Sequence, residues 1–242
     1  MRTSVRFSKR AFDLFAASLG LAITILLYPI IAAAIYLDSP GAVIYKQRRV
    51  GRLLGPDPTS SHHFRFEEFE ILKFRTMKTN AEAATGAVIA AERDDRVTRV
   101  GRLLRSTRLD ELPQLWNVLR GDMSFVGPRP ERPEIIANLA LAIPFFEERM
   151  RGVKPGLTGL AQVSLGYTGR PLPGSKIEEH FGSLTNPFKV EGAEGALADD
   201  MRIKALYDFA YVAALEDFFS FLRLECWILL QTPLAVLRRT GR

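Results

Sequence analysis

The chain of 242 residues is poor in the residues that cross-link or bind metal: it has one cysteine, Cys226, and three histidines, at positions 62, 63 and 180. A disulfide framework is excluded, and no Cys/His spacing marks a structural zinc site. Neither G-x-x-x-x-G-K-[ST] nor the Rossmann glycine fingerprint occurs, so the standard nucleotide-binding loops are absent. No distinctive Ser/His/Asp motif, no repeat of 20–50 residues and no heptad array is found either. Acidic residues are fewer than basic ones, 27 against 33, which leaves a net charge of +6. That field favours a phosphate-rich partner: nucleic acid, anionic lipid or nucleotide. The length fits one domain plus attachments, at about 100–200 residues per domain.

Charge is also missing locally. Residues 14–37, "LFAASLGLAITILLYPIIAAAIYL", lie uncharged between Asp13 and Asp38. As a straight helix they would reach about 36 Å, enough for a hydrocarbon core of about 30 Å. A signal peptide is disfavoured, because its apolar run should span about 7–15 residues and end at a small-residue cleavage site, which "YLDSPGAVIY" does not resemble. Both flanks are basic: Arg2, Arg6, Lys9 and Arg10 precede the run, and Lys46, Arg48, Arg49 and Arg52 follow it. A crossing helix would place one flank against the positive-inside rule. Pro29, near the middle, removes a backbone donor and biases Tyr28 away from helical geometry. The pattern predicts a re-entrant hairpin with both ends on the cytoplasmic face; a kinked spanning helix stays open.

Further on, a turn at Ser39-Pro40-Gly41 leads into β-favouring Val43-Ile44-Tyr45. A loop is expected over 55–63 and a strand or hairpin over 64–77. A helical pattern follows over 81–109, with "ERDDRVTR" as a candidate connection. Leu112, Leu115, Trp116 and Leu119 give residues 110–120 an apolar helical face. "SFVGPRPERPE" must be irregular, a helix is expected from Glu134 past Arg149, and residues 153–163 read as a turn into a short strand. Residues 164–200 are rich in Gly and Pro, with no clear role. The aromatic, leucine-rich and basic C-terminal stretch suits a membrane interface or ordinary core helices.

Arginines recur at 93, 96, 99, 102, 105 and 108, a slowly rotating stripe on a helix. Solvation and pairing with Glu92, Asp94 and Asp95 would answer their mutual repulsion, and so would convergence on phosphate oxygens. Directly after the stripe stand Asp110 and Glu111. Pro113 is tolerated only near a helix start, so the helix is expected to begin at this dyad, with Leu109 or Thr107 as cap. One role for the pair is to complement the helix dipole, worth about 1 kcal/mol. The other is phosphoryl chemistry: an Asp with a depressed pKa is an available nucleophile, and Glu111 suits a hard cation such as Mg²⁺.

In chain order, "KRAFDLFAASLGL", "LDSPGAVIYKQRRVG", "ILKFRTM", "DDRVTRVGRLLRSTRLDELPQLWNVLRGDMSFVGPRP" and "VKPGLTGLAQV" closely resemble the bacterial sugar transferases, the monotopic polyprenyl-phosphate sugar-1-phosphate transferases. The resemblance covers about residues 7–163 and resumes weakly at "LYDFAYV". It implies a phosphoglycosyl transferase that moves a sugar 1-phosphate from a nucleotide sugar, usually a UDP-sugar, to undecaprenyl phosphate and releases the nucleoside monophosphate. On the family pattern Asp110 attacks the sugar-bearing phosphate to form a covalent phosphosugar, Glu111 binds Mg²⁺, and the lipid phosphate attacks the adduct. Lys73, Arg75, Arg105 and Arg129 match basic positions assigned to phosphate binding. Lys154, Pro155, Gly156 and Thr158 are assigned to the nucleotide-sugar pocket. Pro29 matches the family's membrane-helix break, whose usual Ser-Pro is Tyr28-Pro29 here. Larger members carry an added N-terminal region with several transmembrane helices, so a minimal form is expected.

The expected fold class is therefore α+β, mostly α: a re-entrant membrane anchor over 1–40, a small cytosolic catalytic domain over 41–205 and amphipathic interfacial helices over 206–242. The expected setting is the cytoplasmic face of a bacterial inner membrane, with a UDP-sugar and undecaprenyl phosphate as substrates, no nucleic acid, and a homodimer left open. The competing reading is a membrane-tethered binder of nucleic acid or anionic lipid, or a scaffold for glycan assembly, without chemistry.

Overall fold

The computed structural model describes residues 1–57, 59, 64–79, 81, 94–165, 178 and 197–237. Arg93, most of the loop at 55–63 and nearly all of 164–200 therefore lie outside the described residues. Helix α1 (Thr3–Thr24) buries Val5, Lys9, Asp13, Ala17 and Leu21, the i, i+4 face of one side. Helix α2 (Leu27–Asp38) follows after a 63° bend. The bend falls at Ile25–Leu26, upstream of Pro29, and Tyr28 is helical, against the sequence-based expectation. Pro29 has no N–H to offer Ile25, whose carbonyl accepts from Tyr28 N at 3.2 Å instead. The proline thus sits in the first turn of the new helix, where its missing donor costs nothing.

Strands β1 (Ile44–Pro56) and β2 (Phe64–Phe74) form a long antiparallel hairpin, with register irregularities between Val50 and Gly55. Cross-strand pairs Arg48–Glu68, Lys46–Glu70 and Arg52–Glu67 line its exposed side. Helix α3 (Arg99–Thr107), helix α4 (Gln114–Arg120) and strand β3 (Ser124–Val126) come next. Helix α5 (Pro133–Ala142) stops before Pro144, and a 3₁₀ turn over Phe146–Met150 replaces the continuous helix expected past Arg149. Strand β4 (Gly156–Thr158) pairs parallel with β3 and leads to helix α6 (Leu160–Leu165). Two long helices, α7 (Leu197–Ala214) and α8 (Phe218–Leu237), close the chain. The boundary expected at 205/206 falls inside α7. Among the described residues the molecule is mostly helical with two small sheets, an α+β fold.

Two packing relationships position the site. Ala17 and Leu21 of α1 pack with Leu115, Val118 and Met123, while Ile31 and Ile35 of α2 pack with Phe74 and Leu104, so the bent helix pair grips α4 from one side and β2 and α3 from the other. Arg10 then donates to the carbonyls of Val118 and Leu119 at 2.7 and 2.8 Å, and Lys154 donates to that of Gly121, placing two cations on the negative C-terminal end of α4. Elsewhere α1 is bound by buried polar contacts. Lys9 pairs with Asp13 at 3.2 Å and with Glu225 of α8 at 3.0 Å, while Asp13 accepts from Ser124 Oγ and Phe125 N. Apolar side chains face outward on the same helices: Phe7, Phe15, Ile23, Leu26, Ile30 and Leu37 on α1–α2, and Phe219, Trp227 and Leu230 on α8. Phe218–Val236 is long and apolar enough to cross a membrane, and α1 with α2 meets the same test as a bent pair.

Candidate active site

Thr98 caps α3 by accepting from Gly101 N at 3.0 Å. The helix ends at Arg108, a non-glycine residue in the left-handed region (φ 58°, ψ 14°), a conformation that costs on the order of 1–2 kcal/mol. Arg108 swings the chain into a single 3₁₀ turn, Leu109–Glu111, and Pro113 then starts α4. The dyad therefore occupies its own tight turn before α4, not the first turn of that helix. Thr107 is not a cap, because its hydroxyl donates back to Leu103 O at 2.8 Å. Of the arginine stripe, Arg96 is bound to Asp94, Arg102 donates to Val97 O, and Arg105 Nε donates to Thr76 Oγ1 at 2.9 Å. Arg108 comes within 4.0 Å of Glu111.

Both dyad residues are buried, Asp110 at 6% and Glu111 at 4% exposure, yet their surroundings differ. Glu111 Oε1 receives Arg129 Nη2 at 2.9 Å, Lys73 Nζ at 3.3 Å and Arg108 at 4.0 Å. Burial opposes its ionisation, but Arg129, Lys73 and Arg108 together outweigh that and hold its pKa well below the usual carboxylate range. Asp110 goes the other way. Burial first, and the Glu111 charge second, push it up to about 6 against the pull of Lys73, Arg108 and Arg105. The depressed carboxyl expected at Asp110 is thus found at Glu111, because the cations gather on its oxygen. Asp110 Oδ1 is buried and has no hydrogen-bond partner.

Of the anticipated phosphate ligands, Lys73 and Arg129 reach the dyad directly, and Arg105 acts on Asp110 through its charge. Arg75 is placed elsewhere: its guanidinium donates to the carbonyls of Ser39 and Pro40, tying down the end of α2. Lys154, Pro155, Gly156 and Thr158 support the site from behind. Pro155 O accepts from Ser124 N, Gly156 N donates to Pro128 O, and Thr158 O accepts from Gly127 N, all within 2.9 Å. A Cβ on Gly156 would lie 2.1 Å from Gly127 N, so glycine is required for this approach. These contacts fix the 127–130 loop that carries Arg129. Thr158 Oγ1 also meets Thr232 Oγ1 of α8 at 2.9 Å. Tyr28, beside Pro29 at the helix break, donates to Leu112 O at 2.9 Å.

Three supporting residues were not anticipated. Arg149, 1% exposed, donates to Arg129 O, pairs with Asp208 at 2.6 Å, and lies 4.6 Å from the Phe146 ring. Asn117 extends β2 with its side chain, accepting from Leu72 N at 2.9 Å and donating to Glu70 O at 2.7 Å, and so sets the strand that presents Lys73. No local sequence pattern marks Arg149 or Asp208, since their partners lie 20 and 59 residues away.

A deeply buried carboxylate pair under converging cations, on a strained turn between two helices, is the kind of site that handles phosphate groups. The family profile described as bacterial sugar transferase matches residues 4–239, and the chain belongs to that family. It is 38% identical over 206 residues, 85% of this chain, to UDP-N-acetylgalactosamine-undecaprenyl-phosphate N-acetylgalactosaminephosphotransferase of Aeromonas hydrophila. It is 46% identical over 163 residues, 67% of this chain, to UDP-glucose:undecaprenyl-phosphate glucose-1-phosphate transferase of Caulobacter vibrioides. It is 38% identical over 168 residues, again 67% of this chain, to the exopolysaccharide production protein PSS of Rhizobium leguminosarum bv. phaseoli. The matches span 39% and 55% of the first two relatives and 78% of the third.

Proposed function

We propose that the protein is a phosphoglycosyl transferase that moves a sugar 1-phosphate from a UDP-sugar to undecaprenyl phosphate. The observation that carries this reading is the unpartnered, buried Oδ1 of Asp110, beside a Glu111 already saturated with cationic contacts on Oε1. An acceptor buried without a donor is costly in a folded protein and is common where a ligand completes the site. Asp110 attacks the sugar-bearing phosphorus; the bond from that phosphorus to the bridging oxygen breaks, and UMP leaves with the electron pair. An oxygen of undecaprenyl phosphate then attacks the same phosphorus, the Asp110 carboxylate leaves, and the lipid diphosphate sugar is released. Lys73, Arg129 and Arg108 hold the negative charge that gathers at phosphorus, and Arg105 keeps Asp110 under a cationic field.

Glu111 would hold Mg²⁺, which takes one or two carboxylates and completes its shell with substrate phosphates and water. When bound, such an ion neutralises charge on the diphosphate and stabilises the leaving UMP.

The anchor is re-entrant: the 63° bend, the outward apolar side chains of α1–α2 and the basic residues on both flanks support a hairpin that enters and leaves on the cytoplasmic face of the inner membrane. The exposed aromatic and aliphatic side chains of α8 support an interfacial position for the C-terminal helices. A non-catalytic binder of anionic polymer gains nothing from two carboxylates buried under its cations. The test is release of UMP by detergent-purified protein given Mg²⁺, undecaprenyl phosphate and a panel of UDP-sugars. UMP release that disappears in Asp110→Asn supports the reading; no release with any sugar from folded protein overturns it.

A further inference from the structure

Strand β3 ends at Val126, and only Gly127 and Pro128 separate it from Arg129, whose guanidinium donates to Glu111. Proline fixes its own φ, and Gly127 N is bound to Thr158 O at 2.9 Å, so a shift at Val126 carries through to Arg129. Helix α7 reaches both ends of this segment with side chains three residues apart, on one face of the helix. Asp208 pairs at 2.6 Å with Arg149, which donates to Arg129 O, and the Tyr211 phenol lies 2.9 Å from Val126 O. That phenol is 1% exposed and also lies 2.7 Å from Glu225 Oε1 of α8.

The phenol has one hydrogen for these two oxygens, and the groups around it close into a ring. Lys9 Nζ donates to Glu225 Oε2 at 3.0 Å and to Asp13 Oδ1 at 3.2 Å; Ser124 Oγ lies 2.8 Å from Asp13 Oδ1 and 2.9 Å from Val126 O. All of these side chains are buried, Lys9 the most exposed at 8%. With both carboxyls ionised, Tyr211 and Ser124 each have one hydrogen for two acceptors, and each is left with one bare oxygen–oxygen contact. A hydrogen on Glu225 Oε1 fills its contact with the phenol and turns the phenol's own hydrogen toward Val126 O. Ser124 then donates to Asp13, and only the Ser124–Val126 contact, within one strand, stays bare. Asp13 is the carboxylate of the pair, because its Oδ1 already accepts from Lys9, Ser124 and Phe125 N. One ammonium, one carboxylate and one carboxylic acid leave the buried ring without net charge. Burial pushes the Glu225 carboxyl up, against the pull of Lys9.

We propose, resting on the transferase reading, that Tyr211 is a positioning residue for Arg129: it donates to Val126 O while a neutral Glu225 donates to the phenol oxygen. The C-terminal helices, which carry no residue of the dyad, thereby set the cation that meets the charge at phosphorus.

The test is the single-turnover rate of adduct formation from a UDP-sugar and Mg²⁺ by full-length protein in detergent, well below its melting temperature. Wild type, Tyr211→Phe, Arg129→Ala and the double variant are compared. Tyr211→Phe is expected to slow the reaction about fivefold in wild type, the worth of one hydrogen bond, and to have no further effect once Arg129 is alanine. A residue that serves folding alone lowers the melting temperature without slowing folded protein; that result, or equal losses in both backgrounds, overturns the proposal. Should Arg129→Ala form no adduct, Arg129→Lys takes its place, and the Tyr211→Phe loss is expected to shrink. Glu225→Gln keeps a donor toward the phenol and an acceptor toward Lys9, so its rate and melting temperature are expected to stay near those of wild type. The infrared difference between wild type and Glu225→Gln at pH 7 is expected to show the carbonyl band of a protonated carboxyl. A carboxylate band instead turns the phenol's hydrogen away from Val126 and overturns the assignment, and this measurement decides alone if Tyr211→Phe fails to fold. Wild type that forms no adduct loses the transferase reading and this role with it; wild type that forms it no faster than Tyr211→Phe loses only this role.

Discussion

The phenol of Tyr28 donates to the backbone carbonyl of Leu112 at 2.9 Å, joining the first turn of the second anchor helix to the residue directly after Glu111. The same ring stacks edge-on against Phe74, 5.2 Å away, and Phe74 follows Lys73, which holds Glu111. The anchor thus touches both arms of the site. Tyr28→Phe, which keeps the ring and removes the hydroxyl, is expected to lower the melting temperature by a few degrees, the worth of roughly 1 kcal/mol of hydrogen bonding, and to lower kcat about fivefold as the turn after Glu111 loosens. Tyr28→Ala should lose more activity and also stability. Activity unchanged in both would remove the coupling.

Asp110 and Glu111 should have opposite effects on stability. The Asp110 pKa is raised in the folded state, so its contribution is present below the unfolded value near 3.8 and is lost as pH rises through about 6. Asp110→Asn is therefore expected to raise the melting temperature by a few degrees at pH 7–8, with the gain shrinking toward pH 4. Glu111 is depressed, so its contribution is present above its ordinary value and lost as pH falls through the lower folded one. Glu111→Gln strands Lys73, Arg108 and Arg129 and should cost about 2 kcal/mol near neutrality, less than a fully buried pair because these partners are partly exposed. Thermal melts across pH decide both signs. Adduct formation should rise through about pH 6 as Asp110 ionises.

How legible this was in the sequence depends on the range of each interaction. The dyad, Lys73 and Arg129 lie in compact runs, and the structure brings them together. Pro29 signals the bend between α1 and α2, but the break lies three to four residues before it, because a proline ends the preceding helix upstream of itself. The protonation order is not legible: a one-dimensional arginine stripe does not tell which carboxylate the guanidinium groups will reach, and they gather on Glu111. Arg75 looks equivalent to Lys73 in "LKFRTM", and strand alternation would place the two on one face, but β2 ends at Phe74 and Arg75, just beyond it, binds the carbonyls of Ser39 and Pro40 instead. Arg149 and Asp208 were invisible, since only tertiary packing makes them partners.

Lys9 ties the first helix to the last. Lys9→Met leaves Asp13 and Glu225 buried without their cation, and such a break costs about 3–5 kcal/mol. A lower melting temperature and faster proteolysis around α8 are expected. Unchanged protease resistance would show that apolar packing alone holds the C-terminal helix.

The proposed re-entrant anchor predicts that both ends face one side. In a Cys226→Ser background, cysteines introduced singly at Ser4 and at Ala42, both exposed, should react with an impermeant thiol reagent only from the cytoplasmic side. Labelling of either from the opposite side would replace the hairpin with a crossing helix.

The most direct measurement is the intact mass of the protein after incubation with a UDP-sugar and Mg²⁺ but no lipid acceptor. A gain of one sugar phosphate located at Asp110, absent in Asp110→Asn and discharged on adding undecaprenyl phosphate, is the expected result. Turnover to the lipid diphosphate sugar with no covalent species at Asp110, or with Asp110→Asn still active, would contradict it.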